Sequence, residues 1–211
     1  MGSMTDVADR PLRADAARNA ERILRAARDV YGELGSEAPL EVIARHAGVG
    51  ERTLYRRFPT KGDLISAALD QSIAEDLTPV IAKARADKDP MRGLVALIEA
   101  AIALGAREHH LLTAARRAGS LRSDISIELN DALTELAARG QEAGVIRADL
   151  VADDLPRFIA MLYAVLSTMD SEDDGWRRYV ALLIDSISTG VRQRLPRAVP
   201  LRFEPSSSSW L

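Results

Sequence analysis

The sequence contains no cysteine, few aromatic residues and no long apolar run, and each shortage excludes a class of structure. Without cysteine the chain forms no disulfide and no thiolate zinc site, so a reducing cytoplasm is its expected setting. Aromatic residues make up 4% of the chain, and this scarcity beside abundant alanine and leucine favours helices over a strand-rich fold. No apolar run approaches the roughly 18 residues of a membrane span, so we expect no contact with a membrane.

The residue patterns of common active sites are also missing. The chain has no HExxH motif, no glycine-rich phosphate loop and no serine–histidine–aspartate spacing. His109 and His110 are adjacent, so on a helix their side chains point roughly 100° apart and cannot form a metal pair. We therefore predict no catalytic residues, no metal site and no cofactor, and we expect that the protein is not an enzyme.

Net charge and hydrophobic content limit the classes of protein to which the chain can belong. The formal net charge is −3, which excludes a uniformly basic coat for nucleic acid but leaves room for a local basic face. Hydrophobic residues make up 47% of 211 residues, enough to bury a core in one large domain or two small ones.

Apolar residues recur at steps of three and four in about nine segments, and no segment alternates like a strand. The sequence therefore predicts an all-α fold of about nine helices. We expect the first helix to begin at Asp15, with residues 5–13 forming either a frayed tail or a basic arm that touches DNA. A long helix is predicted from Thr60 to about Ala86, with a kink or a break near Thr78 because Pro79 lacks a backbone N–H.

The segment 39–58 predicts two short helices joined by about three residues. Small side chains at Ala44 and Ala47, followed by Gly48, allow the two helices to cross steeply. Such a helix-turn-helix projects its second helix, whose exposed face fits the roughly 12 Å major groove of DNA. Thr60 and Asp63 then form a variant of the capping box at the start of the next helix.

The second helix of this motif carries apolar residues on one face and basic residues on the other. The candidate DNA-binding residues are Arg52, Thr53, Tyr55, Arg56, Arg57 and Lys61. Arg52, Thr53 and Arg56 are the expected base readers, since arginine can bind guanine through two parallel hydrogen bonds. We expect the other three to contact phosphates, which set register without reading sequence. The spacing alone leaves open that the arginines form only a solvated face.

Residues 20–70 resemble the N-terminal domain of the TetR family of bacterial transcriptional regulators. The matching residues are Ile23, Leu24, Ala26, Ala27, Tyr31, Gly35, Ile43, Ala44, Ala47, Gly48, Val49, Thr53, Leu54, Tyr55, Phe58, Lys61 and Leu64. The sequence departs from the family pattern at Tyr31, where phenylalanine is usual, at Arg57, where histidine is common, and at Gly50, where serine is common. The remaining chain resembles the family only in its helix count and in the short link 144–147.

The resemblance implies a homodimeric repressor that binds a pseudo-palindromic operator in double-stranded DNA and releases it when a small ligand binds. The corresponding domains are a DNA-binding domain at 14–62, an effector-binding and dimerisation domain at 63–193, and a tail at 194–211. The helices at about 154–169 and 176–191 have broad apolar faces, which would form a four-helix bundle across the dimer. Alternatively, both are core helices of a monomer.

The effector is expected to be small and apolar or amphipathic, because ligand pockets are mostly apolar with a few polar groups. The candidate pocket residues are Met91, Leu94, Val95, Ile98, His110, Arg117, Met161 and Tyr163. Each of them could instead be an ordinary core or surface residue. Two other functions stay open at this point, namely an enzyme on a helical bundle and a structural DNA-binding protein without an effector.

Overall fold

A computed structural model describes residues 5–120, 124–169 and 174–189, and the regular structure in these ranges is helical. The helices are α1 (Thr5–Leu34), α2 (Leu40–His46), α3 (Glu51–Arg57), α4 (Lys61–Asp76), α5 (Thr78–Ala86), α6 (Pro90–Arg107), α7 (His109–Arg117), α8 (Asp124–Glu142), α9 (Asp154–Leu166) and α10 (Trp176–Ile187). An isolated antiparallel bridge joins Ile146, between α8 and α9, to Ser188 after α10. The predicted all-α class is confirmed, whereas the predicted tail 194–211 lies outside the described residues.

The described ranges hold ten helices because the predicted long helix is divided. The division falls at Leu77, and Pro79 occupies the first turn of α5, where its missing N–H costs no hydrogen bond. The predicted start of the first helix was wrong. Helix α1 begins at Thr5, and Asp15 lies within it, where its carboxylate pairs with Arg18 instead of capping the helix.

The chain divides into two compact units that do not follow sequence order. The N-terminal unit comprises residues 5–73 and 108–120, and the C-terminal unit comprises 74–107 and the described residues from 124 onward. The N-terminal unit thus contains α7 and most of α4 in addition to α1–α3. This division differs from the expected boundary at 62/63, which stays a prediction about function.

The core of the N-terminal unit is built from five helices. Its largest buried side chains are Ile23, Tyr31, Ile43, Leu54, Phe58, Leu64, Ile65, Leu69 and Leu111. Leu111, Ala114 and Ala115 contribute the buried face of α7, at the three- and four-residue spacing of one helical stripe. Helix α7 is therefore part of the core that supports α2 and α3.

Helix α6 is central in the C-terminal unit and packs against α5, α8, α9 and α10. Its buried face includes Leu94, Leu97, Ile98, Ala101 and Ile102. The backbone N–H of Arg147 donates to the Ile187 carbonyl at 2.9 Å, so the link after α8 is fastened to the end of α10. The described parts of α9 and α10 lie in this unit.

Candidate nucleic-acid interface

The turn between α2 and α3 depends on a glycine. Gly48 has φ +64°, a left-handed conformation that residues with a Cβ rarely adopt. The Val49 N–H donates to the Ala44 carbonyl at 3.0 Å and closes the end of α2. Ala44 and Ala47 are buried beside the turn, so the small residues lie where the two helices approach each other. The predicted helix-turn-helix geometry is therefore present in the N-terminal unit.

Helix α3 presents two different faces. Leu54 is buried within it, and Phe58, which ends it, is buried as well. Arg52, Tyr55 and Arg56 are exposed and share the opposite face, since residues three and four apart are neighbours on a helix. Tyr55 is 45% exposed, which is high for an aromatic side chain in a helix anchored by its other face.

The two arginines on this outer face, Arg52 and Arg56, lack ion-pair partners among the described residues. Helix α3 carries three arginines against one glutamate, although the whole chain is net acidic. The structure thus places an unpaired basic face on the projecting helix of the motif.

The remaining predicted contact residues lie at the edges of this face. Thr53 is half-buried, whereas Arg57 is exposed with its guanidinium 5.6 Å from the centre of the Phe58 ring. Lys61 is half-buried, and its ammonium lies 5.8 Å from the centre of the Tyr31 ring. Thus four of the six predicted side chains are exposed and two are partly covered.

The start of α4 is capped as predicted. The Thr60 backbone N–H donates to Asp63 Oδ2 at 3.0 Å, and the Asp63 N–H donates to Thr60 Oγ1 at 3.1 Å. These reciprocal bonds satisfy two backbone donors at the helix end. Because Lys61 is the first residue of α4, the cap also fixes the backbone that carries this predicted phosphate contact.

Tyr31 packs in the core near Lys61, and its buried hydroxyl lowers the stability of the fold. Its side chain is fully buried, and its hydroxyl has no hydrogen-bond partner among the described residues. Burial, with a smaller contribution from Glu37, raises the pKa of Tyr31 from its ordinary 10.0 to about 12. An unsatisfied buried hydroxyl destabilises the fold, because it has lost its hydrogen bonds to water.

Replacing Tyr31 by phenylalanine is expected to raise the free energy of unfolding by about 0.5–2 kcal/mol. Wild-type stability should also fall as the pH rises above 10, because the unfolded tyrosine ionises before the folded one. The phenylalanine variant should lack this loss. Urea titrations at pH 7 and pH 10.5 measure both effects, with Tyr55→Phe as a control at an exposed position. A less stable Tyr31→Phe protein would show that the hydroxyl contributes a useful bond.

The eight predicted effector residues do not lie in one unit. Leu94 and Ile98 are core residues of α6, and Met161 is 63% exposed on α9. His110 and Arg117 belong to the N-terminal unit, where both are exposed and Arg117 pairs with Glu37. The other six positions are in the C-terminal unit, so only they could share a pocket within it.

A groove of about 560 Å³ opens on the C-terminal unit between α5, α6 and α10. Its lining combines small residues of α6 with charged residues, notably Lys83, Arg92, Glu99 and Arg177. Asp87 and Arg92 pair within this lining, and the hydrogen bond from Arg92 holds the pKa of Asp87 far below its usual range. None of the eight predicted pocket residues lines this groove.

The N-terminal unit contains a buried polar cluster that the sequence pattern does not predict. Ser72 and Glu108 are the two buried polar residues in the described core, and Arg28, 18% exposed at its side chain, contacts Glu108. Ser72 and Arg28 are 36 and 80 positions from Glu108 in sequence, and no periodicity links the three residues. The one available signal was the apolar stripe of α7, which requires a packing partner without identifying it.

Helices α9 and α10 keep apolar side chains at the surface of the described chain. Met161 is 63% exposed and Leu182 is 40% exposed. Phe158 and Val165 flank Met161 on α9, and Tyr179 lies one turn before Leu182 on α10; these three are half-buried. Such an accumulation of apolar surface on two adjacent helices is typical of an interaction face.

The described residues contain neither a metal-binding cluster nor a helix able to span a membrane. They contain no group of three or more histidine, aspartate or glutamate side chains placed to hold a metal ion. Among the described helices, none has the length and hydrophobicity needed to cross a membrane.

Comparison with known proteins gives consistent matches. The family model for bacterial regulatory proteins of the tetR family matches residues 23–68. A TetR transcriptional regulator from Streptomyces coelicolor is 32% identical over 80% of this chain and 98% of its own, with a TM-score of 0.59. A TetR regulatory protein from Mycobacterium vanbaalenii is 28% identical over 85% of this chain and 100% of its own, with a TM-score of 0.61.

A third structure shares the fold at lower identity. It comes from Saccharomonospora viridis, was solved in complex with choline, and is 23% identical over 81% of this chain and 98% of its own, with a TM-score of 0.63. No curated protein sequence matches this chain.

Proposed function

The chain belongs to the TetR family of bacterial regulatory proteins, and we propose that it is a dimeric repressor released from its operator by a small ligand. Members of this family act as DNA-binding transcriptional regulators. The observation that carries the proposal is the outer face of α3, where Arg52, Tyr55 and Arg56 are exposed beside a glycine-dependent turn. Base reading is assigned to Arg52, Thr53 and Arg56, and phosphate contact to Tyr55, Arg57 and Lys61.

The physical chemistry of the face supports this assignment. Among the described residues, Arg52 and Arg56 have no carboxylate partner, so their binding to DNA breaks no ion pair in that part of the chain. A guanidinium forms two parallel hydrogen bonds with guanine O6 and N7, which distinguishes that base in the major groove. Tyr55 can donate its hydroxyl to a phosphate oxygen, which fixes the position of the helix on the duplex.

The short length of α3 supports the proposed dimer. Helix α3 has seven residues and reaches few base pairs, so two copies spaced by about 34–36 Å are needed for a specific site. The exposed apolar residues of α9 and α10, including Met161 and Leu182, supply a surface for a second copy. Two such helix pairs, one from each copy, would form a four-helix bundle. The two-fold symmetry of this dimer would match a pseudo-palindromic operator.

The proposed effector is a small apolar or amphipathic molecule that binds the C-terminal unit. The choline complex of the Saccharomonospora viridis protein supports this, because a protein of the same fold holds a small molecule. Within this chain, the groove between α5, α6 and α10 has the volume of typical small-molecule sites. The predicted residues Met91, Val95 and Tyr163 are alternative positions for the same effector.

The proposal is tested by selecting genomic DNA fragments with the purified protein at rising salt. We expect sequence-preferring binding that weakens with salt, as phosphate contacts require. Arg56→Ala should lower affinity about ten- to hundredfold and relax the preference at one base pair. Tyr55→Ala should weaken binding similarly on all sequences, because a phosphate contact does not depend on the base.

Lys88→Ala serves as the charge control for Arg56→Ala, because Lys88 is exposed in the C-terminal unit and its loss removes the same charge. It should leave the affinity within about twofold. Undiminished binding by both the Arg56→Ala and Tyr55→Ala proteins would show that α3 does not read the DNA. The promoter recovered in the selection then indicates which compounds to test as effectors.

A further inference from the structure

Glu108 lies at the centre of a buried polar cluster in the N-terminal unit. Its Oε1 atom accepts a hydrogen bond from Arg28 Nε at 3.1 Å and one from Ser72 Oγ at 2.9 Å, and Arg28 Nη2 lies 3.0 Å away. The three residues come from α1, from α4 and from the position just before α7. We call Arg28, Ser72 and Glu108 the Glu108 cluster.

Burial makes this cluster a poor choice for stability alone. Glu108 is 5% exposed, and the Arg28 side chain is 18% exposed, so both charges have lost most of their water. Removing two charges from water costs free energy that their attraction only partly returns. An apolar pair of similar volume would stabilise the same site at least as well. What the cluster adds is direction, because hydrogen bonds to one oxygen atom fix the three backbones in one arrangement.

The cluster occupies a particular place along the chain. Helix α7 belongs to the N-terminal unit, although α6 and α8 on either side of it in sequence belong to the C-terminal unit. Before α7, the chain leaves the N-terminal unit after residue 73 and re-enters it at Glu108. The hydrogen bond from Ser72 to Glu108 therefore joins these two segments inside the N-terminal unit.

A second bond fixes the other end of α7. Ser66 Oγ donates to the Ser120 carbonyl at 2.7 Å, so α4 holds α7 at both of its ends. The apolar residues between these bonds, Leu111, Ala114 and Ala115, are buried in the core that also contains Leu54 and Phe58. Leu54 and Phe58, at the buried side of α3, therefore share one core with residues of α1, α4 and α7.

We propose that the Glu108 cluster positions the DNA-reading helix, with Glu108 as a positioning residue that fixes α7 to α1 and α4. The proposal rests on the DNA-binding function proposed above. In this role the cluster sets the spacing between α1 and α4, whose first turn directly follows α3. Loss of the cluster leaves the core apolar contacts in place but allows this spacing to vary, so DNA affinity falls.

Glu108→Gln is the first test, since glutamine keeps the size of the side chain and removes its charge. We expect the melting temperature to fall by about 5–15 °C and the affinity for a selected DNA fragment to fall about three- to thirtyfold. The sign is informative, because the loss of one negative charge would by itself favour DNA binding. Glu135→Gln is the control, because Glu135 is 48% exposed at its side chain where Glu108 is 5% exposed, and the change should affect both values much less.

The double variant Arg28→Met/Glu108→Leu separates positioning from stability. It replaces the buried pair by apolar side chains and should recover most of the melting temperature. If the cluster positions α3, DNA affinity stays reduced in this variant although the fold is stable. Recovery of both the melting temperature and the affinity would show that the cluster is merely structural and would overturn the proposal.

Ser72→Ala provides a milder change that should fold even if both other variants do not. It removes one hydrogen bond to Glu108 and should lower DNA affinity by about two- to fivefold, with faster hydrogen exchange in the first turn of α7. Unchanged affinity and exchange would contradict the proposal. Binding is measured at 10 °C with folding checked by circular dichroism. Failure of the wild-type protein to select DNA would instead reject the proposed function.

Discussion

Replacing Gly105 by alanine is expected to lower the melting temperature by about 5–10 °C. A Cβ atom at Gly105 would lie 2.0 Å from Cε1 and 2.7 Å from Cδ1 of Tyr163, closer than any real contact. The Tyr163 ring is held against α6, because its hydroxyl donates to the Ala101 carbonyl at 3.1 Å. Overfilling a packed site of this kind costs about 2–3 kcal/mol, and each kcal/mol lowers the melting temperature of a chain of this size by about 2–4 °C.

Gly32→Ala is the matched control for Gly105→Ala. Gly32 also lies within a helix, but a Cβ atom built there meets nothing within 4 Å. Alanine should therefore stabilise α1 at this position by about 0.5–1 kcal/mol, the usual gain over glycine in a helix. In a double-mutant cycle, Tyr163→Ala should remove most of the penalty at Gly105. Equal stability of Gly105→Ala and Gly32→Ala would show that α9 moves away from α6 without cost.

The local features of the reading motif could be predicted because neighbouring residues determine them. The turn needs small residues and a glycine, which Ala44, Ala47 and Gly48 supply, and the structure has Gly48 in the left-handed conformation. The reciprocal bonds of Thr60 and Asp63 depend on residues three apart, so the sequence pattern was sufficient. The split before Pro79 follows from a single missing N–H donor.

Other features could not be predicted because their partners are far apart in sequence. The stripe of Leu111, Ala114 and Ala115 predicts that α7 buries one face, but it does not say which unit covers that face. Glu108 is charged, so the sequence alone predicts that it lies at the surface. In the structure it is buried and bonded to Arg28 and Ser72, which are 80 and 36 positions away. For the same reason the sequence does not show that His110 and Arg117 belong to a different unit from the other six predicted pocket residues.

Met161→Glu is expected to convert the proposed dimer into a monomer. Met161 is 63% exposed in a single chain, and its neighbours Phe158 and Val165 on α9 are half-buried. In the proposed four-helix bundle these side chains pack against a second copy, where a buried carboxylate would have no partner. The change should leave the folding of each chain nearly unaffected, because it lies at an exposed position. Light scattering measures the mass, and urea titration measures the stability.

The same variant should lose most of its DNA affinity. Two linked reading helices bind with an avidity about 10²–10⁴ above that of one helix, so a monomer binds correspondingly more weakly. Ile127→Glu is the matched control, because Ile127 is 58% exposed but lies on α8, outside the proposed interface. It should remain dimeric and bind DNA as the wild type does. A dimer of Met161→Glu with full DNA affinity would exclude this face of α9 from the interface, and loss of affinity without loss of the dimer would assign Met161 to another role.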